Sequence, residues 1–327
     1  GLGDVYKRQT SVFVNMIGTA IKFSEEKIPV DSNIVKFDNY TITGKNENPL
    51  VLNGTVDVND MVSPRINLSA NAENMQIIDS KRAKGSDVYG KAFIDLDATV
   101  KGNMDFLAVN ATLNLLEGSD VTYVMNTVAN SLTPGASNDD MVKFVQFSDT
   151  ASINEIDTIS NTGMAMMLNA RLIVSEGTTL NVDISSGGKD KAQIKGSGSL
   201  TFAMSPFSDM TLTGRYNISS GFVRYTPPLM SQKLFEFIDN SYVAFTGDMM
   251  NPTLNIHARE TMKANVTEEG QDSRLVNFLI TLNVTNTLNN MNVSFDLATN
   301  DDISIQNELE TMSPEQRANQ AMNLLLY

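Results

Sequence analysis

The chain has 327 residues, 41% hydrophobic and 19% charged, which is enough apolar content for a core and too little charge for a disordered chain. A net charge of −14 argues against a phosphate-backbone partner, and no nucleic-acid role is expected. Cys and Trp are absent and His occurs once, at His257, so disulfides, thiol nucleophiles and multi-histidine metal sites are excluded.

The elements read in chain order are strands almost throughout. Residues 1–9, GLGDVYKRQ, resemble a translated sequencing adapter and are set apart as non-native. Residues 10–50 form an upstream β segment. From there apolar and polar residues alternate with period two, the mark of a strand with one dry and one wet face. Ile66 and Leu68 open the series, and Ile94, Leu96 and Leu113 continue it. Ser137–Val145 carries a capping residue and two acids and reads as a short helix, or a loop entering a strand. Leu172, Val182, Ile194, Leu200 and Phe202 resume the dry face, followed by Leu254, Ile256, Ile280, Leu282 and Phe295. Turn signals at LEGSD (116–120), SEGTT (175–179), SSGGKD (185–190) and NTLNN (286–290) separate the runs and predict antiparallel meander pairing. Gly196 and Gly198 share a face, where missing side chains let a sheet curve or a neighbour approach. The chain closes on Ser313, Pro314 and Gln316, a capping-box start that predicts a helix beginning at Pro314.

These runs carry a weak repeat. Asn53–Ala70 and Phe245–Ala258 both read as a strand through Gly, a short acidic turn, then Pro and an alternating strand. The segment Gly247–Ala258, the hairpins Tyr216–Leu229 and Leu234–Asp248 before it, and the ending Asn292–Leu309 with its helix resemble the C-terminal domain of TamB-like proteins, within the AsmA-like group of envelope proteins. The resemblance covers residues 51–312, a β-groove domain, followed by a truncated amphipathic helix over 313–327.

That resemblance implies a mostly β fold: an elongated, curved antiparallel sheet forming an apolar groove or open tube, with a short C-terminal helix. It implies a non-enzymatic scaffold of a diderm cell envelope. The parent would be anchored in the inner membrane, by an anchor outside this fragment, and would reach across the periplasm. Implied partners are an Omp85-type outer-membrane barrel protein, nascent outer-membrane proteins and phospholipid acyl chains. The implied role is outer-membrane protein assembly, bridge-like phospholipid transport, or both. No catalytic residue, cofactor or metal is expected. The fifteen dry-face residues named above are the candidate groove lining. A β-rich surface adhesin or carbohydrate-binding protein is the alternative, and a β-helix polysaccharide enzyme is disfavoured because the acids are scattered.

The remaining chemical candidates have plain readings. Alternation puts His257 on the wet face with Asn255 and Arg259, as a solvated strand residue. Asn300, Asp301 and Asp302 lack the Gly and Glu of a calcium loop and read as a solvated turn. Asn-x-Ser/Thr triplets such as those at Asn53, Asn67, Asn110 and Asn283 follow from wet-face alternation. The 18 Met residues, among them Met164, Met166, Met167, Met249 and Met250, are core fillers or a flexible lining for varied acyl chains.

Overall fold

A computed structural model of the chain describes residues 11–14, 19–82, 88–124, 165–184, 189–226, 231–267 and 273–326. The segment Ser137–Val145 and Met164 lie outside them. The described strands are β1 (Ser11–Val14), β2 (Thr19–Phe23), β3 (Val30–Asp31), β4 (Ile34–Thr43), β5 (Pro49–Asp57), β6 (Arg65–Ser80), β7 (Val88–Gly102), β8 (Phe106–Leu115) and β9 (Asp120–Val124). They continue as β10 (Ala165–Val174), β11 (Thr179–Asp183), β12 (Lys191–Ser205), β13 (Ser208–Tyr225), β14 (Lys233–Phe237), β15 (Ser241–Gly247), β16 (Thr253–Val266), β17 (Arg274–Thr287) and β18 (Asn292–Thr299). Two helices follow, α1 (Ile303–Thr311) and α2 (Pro314–Leu325). No helix among the described residues is long and apolar enough to cross a membrane.

All 18 strands join one curved sheet. β4 to β7 pair in sequence as antiparallel neighbours, as do β12 with β13 and β16 to β18. The centre departs from the expected meander. β8 and β9 both lie antiparallel to β7, and β10 and β11 both lie antiparallel to β12. The two rows meet in parallel, β8 against β10 and β9 against β11. The sheet is therefore mixed, and the purely antiparallel expectation is corrected here. Parallel neighbours need a long return connection, and 40 residues, 125–164, separate β9 from β10 in the sequence.

LEGS and SEGT are likewise not hairpin turns. Each is an in-line excursion, after which the chain resumes the same row. Leu115 faces Val174 before the excursions, and Asp120 faces Thr179 after them. Gly118 and Gly177, at φ +82° and +83°, supply the backbone conformation that turns the chain back. A third excursion, Ile238–Asn240, separates β14 from β15, with Asn240 at φ +69°. Bulges at Glu73–Asn74 on β6 and at Ser219 on β13 lie on the same line across the sheet. Each bulge locally bends and twists its strand, so the aligned series runs across the sheet as a seam.

Small hydroxyls satisfy the backbone at the seam. Ser119 Oγ accepts the Phe93 N–H at 3.0 Å, and Thr178 Oγ1 donates to the Leu116 carbonyl at 3.2 Å. Ser219 Oγ donates to the Lys195 carbonyl at 3.1 Å. Ser119, Thr178 and Ser241 are almost fully buried (1%, 0% and 2% exposed), which matches their use as internal bonding groups rather than loop surface. Beside the seam, a Cβ on Gly196 would stand 2.0 Å from the Asn217 carbonyl oxygen, so the expected close approach is present.

The helices close the β18 end. Ser313 caps α2 through a complete capping box, and the helix starts at Pro314 as expected. Helix α1 is new: Asp302 is its N-cap, accepting the N–H groups of Ser304 and Ile305 at 2.9 and 3.1 Å. The acidic run is thus a helix start rather than a solvated turn. Ile305, Leu309, Ala321 and Leu325 pack into one core with Val276, Phe278, Ile280 and Leu297. Arg317 of α2 bonds Asp296 of β18 through Nε at 2.7 Å.

Candidate functional site

Because side chains alternate along each strand, the pairing register decides which of them share a face. The register links the candidate residues into rows. One row runs Leu96, Leu113, Leu172 and Leu200, then Gly214 and Phe245. A second runs Ile94, Leu115, Val174, Gly198, Tyr216, Val243 and Leu254. Phe202 continues a row of Ala98, Ala111 and Ala170, while Leu68 pairs with Val100 and Ile66 with Val56. At the far end Ile256 pairs with Val284, and Leu282 pairs with Phe295. Across the seam, Val182 pairs with Ala192 and Ile194 with Leu180.

Burial is uneven along this face. Ile94 (3%), Leu254 (9%) and Ile280 (0%) are buried, and the other candidates are half-buried. Ile280 lies in the core under the helices, against which Ile194, Ile256, Leu282 and Phe295 also pack. Leu96 and Leu113 pack against a second cluster formed by Ala72, Met75 and Ile94. Leu115 of β8 packs against both clusters, and Leu172 of β10 and Ile194 of β12 pack against the first, whose helical members come from α1 and α2 at the β18 end.

Ionisable groups interrupt the face, among them Tyr216, Glu260 and Lys233, the last buried in step with Phe235 and Phe237. Tyr216 is buried, its hydroxyl has no partner among the described residues, and burial pushes its pKa up to about 12. Glu260 sits opposite Ile280, with Oε2 buried and unpaired. Its burial raises the pKa above the ordinary 4.5, opposed by the Lys233 charge and the Leu234 N–H. Alternation places Glu260 on the dry face in step with Leu254, Ile256 and Ala258, and Tyr216 in step with Leu212 and Ile218, and the sequence reading did not single them out.

The opposite face is polar. Asn71, Asp95, Asp97, Thr112 and Asn114 line a shallow depression there of about 500 Å³. His257 faces this side as expected, but it is half-buried, with Nδ1 2.7 Å from Asn283 Oδ1. Among the described residues no group of three or more His, Asp or Glu is arranged to hold a metal ion. Met249 and Met250 are not core fillers: they stand 36% and 39% exposed on the β15–β16 turn.

A single curved sheet, apolar on one side, polar on the other and closed at one end by helices, defines a β-scaffold protein. The chain belongs to the TamB C-terminal domain family, whose profile matches residues 38–327. This is a non-enzymatic family of the bacterial cell envelope, involved in outer-membrane protein assembly or lipid transport and working with an outer-membrane partner. No curated protein and no solved structure matches the chain.

Proposed function

We propose that the apolar face of this sheet is the lining of a groove that holds phospholipid acyl chains on their way between the inner and outer membranes. The observation that carries it is the unbroken row Leu96–Leu113–Leu172–Leu200, whose four leucines are half-buried rather than sealed. Leaving such a row open costs roughly 25 cal/mol per Å² of exposed apolar surface, so it calls for an apolar occupant. Saturated chains need no hydrogen bonds and fit a lining made of aliphatic side chains. In this reading the parent is anchored in the inner membrane and spans the periplasm, and an Omp85-type barrel protein is its outer-membrane partner.

The family also works in outer-membrane protein assembly. A nascent strand with alternating apolar side chains could occupy the same face, and that is the second reading. The two separate by photo-crosslinking in cells. A crosslinker replacing Leu113 captures phospholipid if the groove carries lipid and outer-membrane polypeptide if it carries strands. One replacing Thr112, on the opposite face, captures neither. Equal labelling from both positions would sink the groove reading.

A further inference from the structure

Leu234 (42%) and Leu275 (60%) stand at one end of the sheet, while most of the exposed large apolar side chains among the described strands lie along the other. The turns β5–β6, β7–β8, β12–β13 and β15–β16 all lie at that end: Asp57 faces Arg65, Gly102 faces Leu107, Ser205 faces Ser208, and Gly247 faces Leu212 on the adjacent strand. Met61 and Val62 on the first turn are 80% and 87% exposed, and Phe207 on the third is 90% exposed. Phe106 (40%) marks the second turn, and Met249 and Met250 the fourth. In sequence, three connections at the opposite end (81–87, 185–190 and 267–273) contain only Ala83 as an apolar residue besides Gly, while 226–232 carries Pro227, Pro228, Leu229 and Met230.

The turns share one construction. A short polar side chain bonds the backbone N–H two or three residues on, and a large apolar side chain is left pointing outward. Asp60 Oδ1 accepts the Val62 N–H at 2.9 Å, and Asp248 Oδ1 accepts the Met250 N–H at 2.9 Å. Asn103 Oδ1 accepts the Phe106 N–H at 2.9 Å, and Ser205 Oγ accepts the Phe207 N–H at 3.1 Å. Neighbouring turns are tied sideways, Ser63 Oγ donating to Asp105 Oδ2 at 3.2 Å. The turns are thus held rather than loose, and what they hold out is apolar.

We propose that this rim docks on a lipid surface, the exposed Met, Val and Phe side chains inserting at the headgroup–acyl boundary of a zwitterionic membrane. The geometry favours a membrane over a folded protein. Nine adjacent strand positions from β5 to β16 set the rim's contour at roughly 40 Å, from strand spacings near 4.8 Å. It is only one or two side chains deep. A stable protein interface buries a patch of comparable length and width, about 800 Å² per partner. A comb of separate tips needs no matching pockets in a fluid interface. Charge decides the lipid type. With a net charge of −14 and Asp60, Asp105 and Asp248 in the turns themselves, an anionic surface would repel the rim. Since it concerns the strand ends and not the sheet face, the proposal stands whether or not the face carries lipid.

The test uses the full 327-residue chain, which has no Trp, so Phe207→Trp gives a single indole reporter. On adding phosphatidylcholine vesicles its emission should shift to the blue and be quenched by bromine-labelled acyl chains. A triple variant, Met61→Ser/Val62→Ser/Phe207→Ser, should lose vesicle flotation at least tenfold while keeping the parent's melting temperature. Replacing half the phosphatidylcholine by phosphatidylglycerol should weaken binding severalfold at low salt. No emission shift, equal flotation of the triple variant, or tighter binding to the anionic vesicles would each overturn the proposal. So would a concentration-dependent dimer that the triple variant abolishes without any vesicle binding, which would make the rim a contact between copies.

Discussion

The hydroxyl of Ser241 takes the place of a strand partner for His257: Oγ accepts the His257 N–H at 2.9 Å and lies 3.0 Å from the His257 carbonyl oxygen. Ser119 does the same for Phe93 on the other side of the sheet centre, at 3.0 and 3.3 Å. Both hydroxyls are buried, so removing one leaves the His257 or Phe93 N–H without its acceptor, while the two carbonyls keep the Ile238 and Leu116 N–H groups. Ser241→Ala and Ser119→Ala should each lower stability by about 1–3 kcal/mol. Thr201→Ala, on the exposed polar face, should stay within about 0.5 kcal/mol. Denaturant midpoints compared at equal m-value check this, and a neutral Ser241→Ala would mean the seam is satisfied some other way.

At Gly196 the constraint is volume. A methyl group there would lie 2.0 Å from the Asn217 carbonyl oxygen, and the obstacle is backbone. Gly196→Ala should therefore cost about 1–3 kcal/mol through overpacking. Unchanged thermal stability would show that β12 and β13 can separate without penalty.

How much of this was legible in sequence depends on the range of the signal. Alternation around Leu96, Leu113, Leu172 and Leu200 is local and marks the strands, and the register joins the four residues into one row. The capping box at Ser313 is also local, and α2 begins where it predicts. LEGS and SEGT are legible as breaks between strands, but Gly-rich punctuation is the same for a reversal and for an in-line excursion. What separates them is whether Asp120 and Thr179 rejoin their own rows, and that is set by partners far away in sequence. Asp302 was missed as a cap because Ile303–Thr311 is nearly polar all round, with Ile305 and Leu309 its only buried residues. The apolar rim was visible only as scattered Met, Val and Phe, since the topology is what brings their turns to one end.

Acid should act on α1 through Asp302. The Arg274 guanidinium, 2.6 Å away, and the N–H groups of Ile305 and Ser304 hold its carboxyl below the ordinary 3.8. A depressed folded pKa gives a contribution that is present above pH 3.8 and lost as pH falls through the lowered value. Helical signal from the C-terminal end should therefore fray below that pH in the parent. In Asp302→Ala the fraying should already be present at neutral pH. Amide exchange at Ser304 and Ile305 reads it directly, and identical protection in the two proteins would remove Asp302 from the cap.

Glu260 has the opposite sign. Burial raises its folded pKa above 4.5, so the native state binds the extra proton more readily than the unfolded chain. Its charged form strains the fold above the raised pKa, and that strain is relieved as pH falls through the window down to 4.5. Glu260→Gln should be more stable than the parent at neutral pH, and the difference should shrink on acidification. A difference that stays constant from pH 7 to about 4 would mean that Glu260 titrates normally.

The central leucines give the decisive test of the groove. Leu200 is half-buried in the apolar row, whereas its neighbour Thr201 is exposed on the polar face. An open groove leaves water around a new carboxylate, so Leu200→Asp should not incur the full penalty of burying a charge. In a sealed core the same change would belong with the severe substitutions, beyond about 4 kcal/mol. If the face carries acyl chains, Leu200→Asp should fold, accumulate normally and fail to support lipid transport in cells, while Thr201→Asp behaves as the parent. If Leu200→Asp simply unfolds, the face is a closed core and the conduit is lost. If both variants transport lipid normally, no apolar cargo passes this point of the sheet.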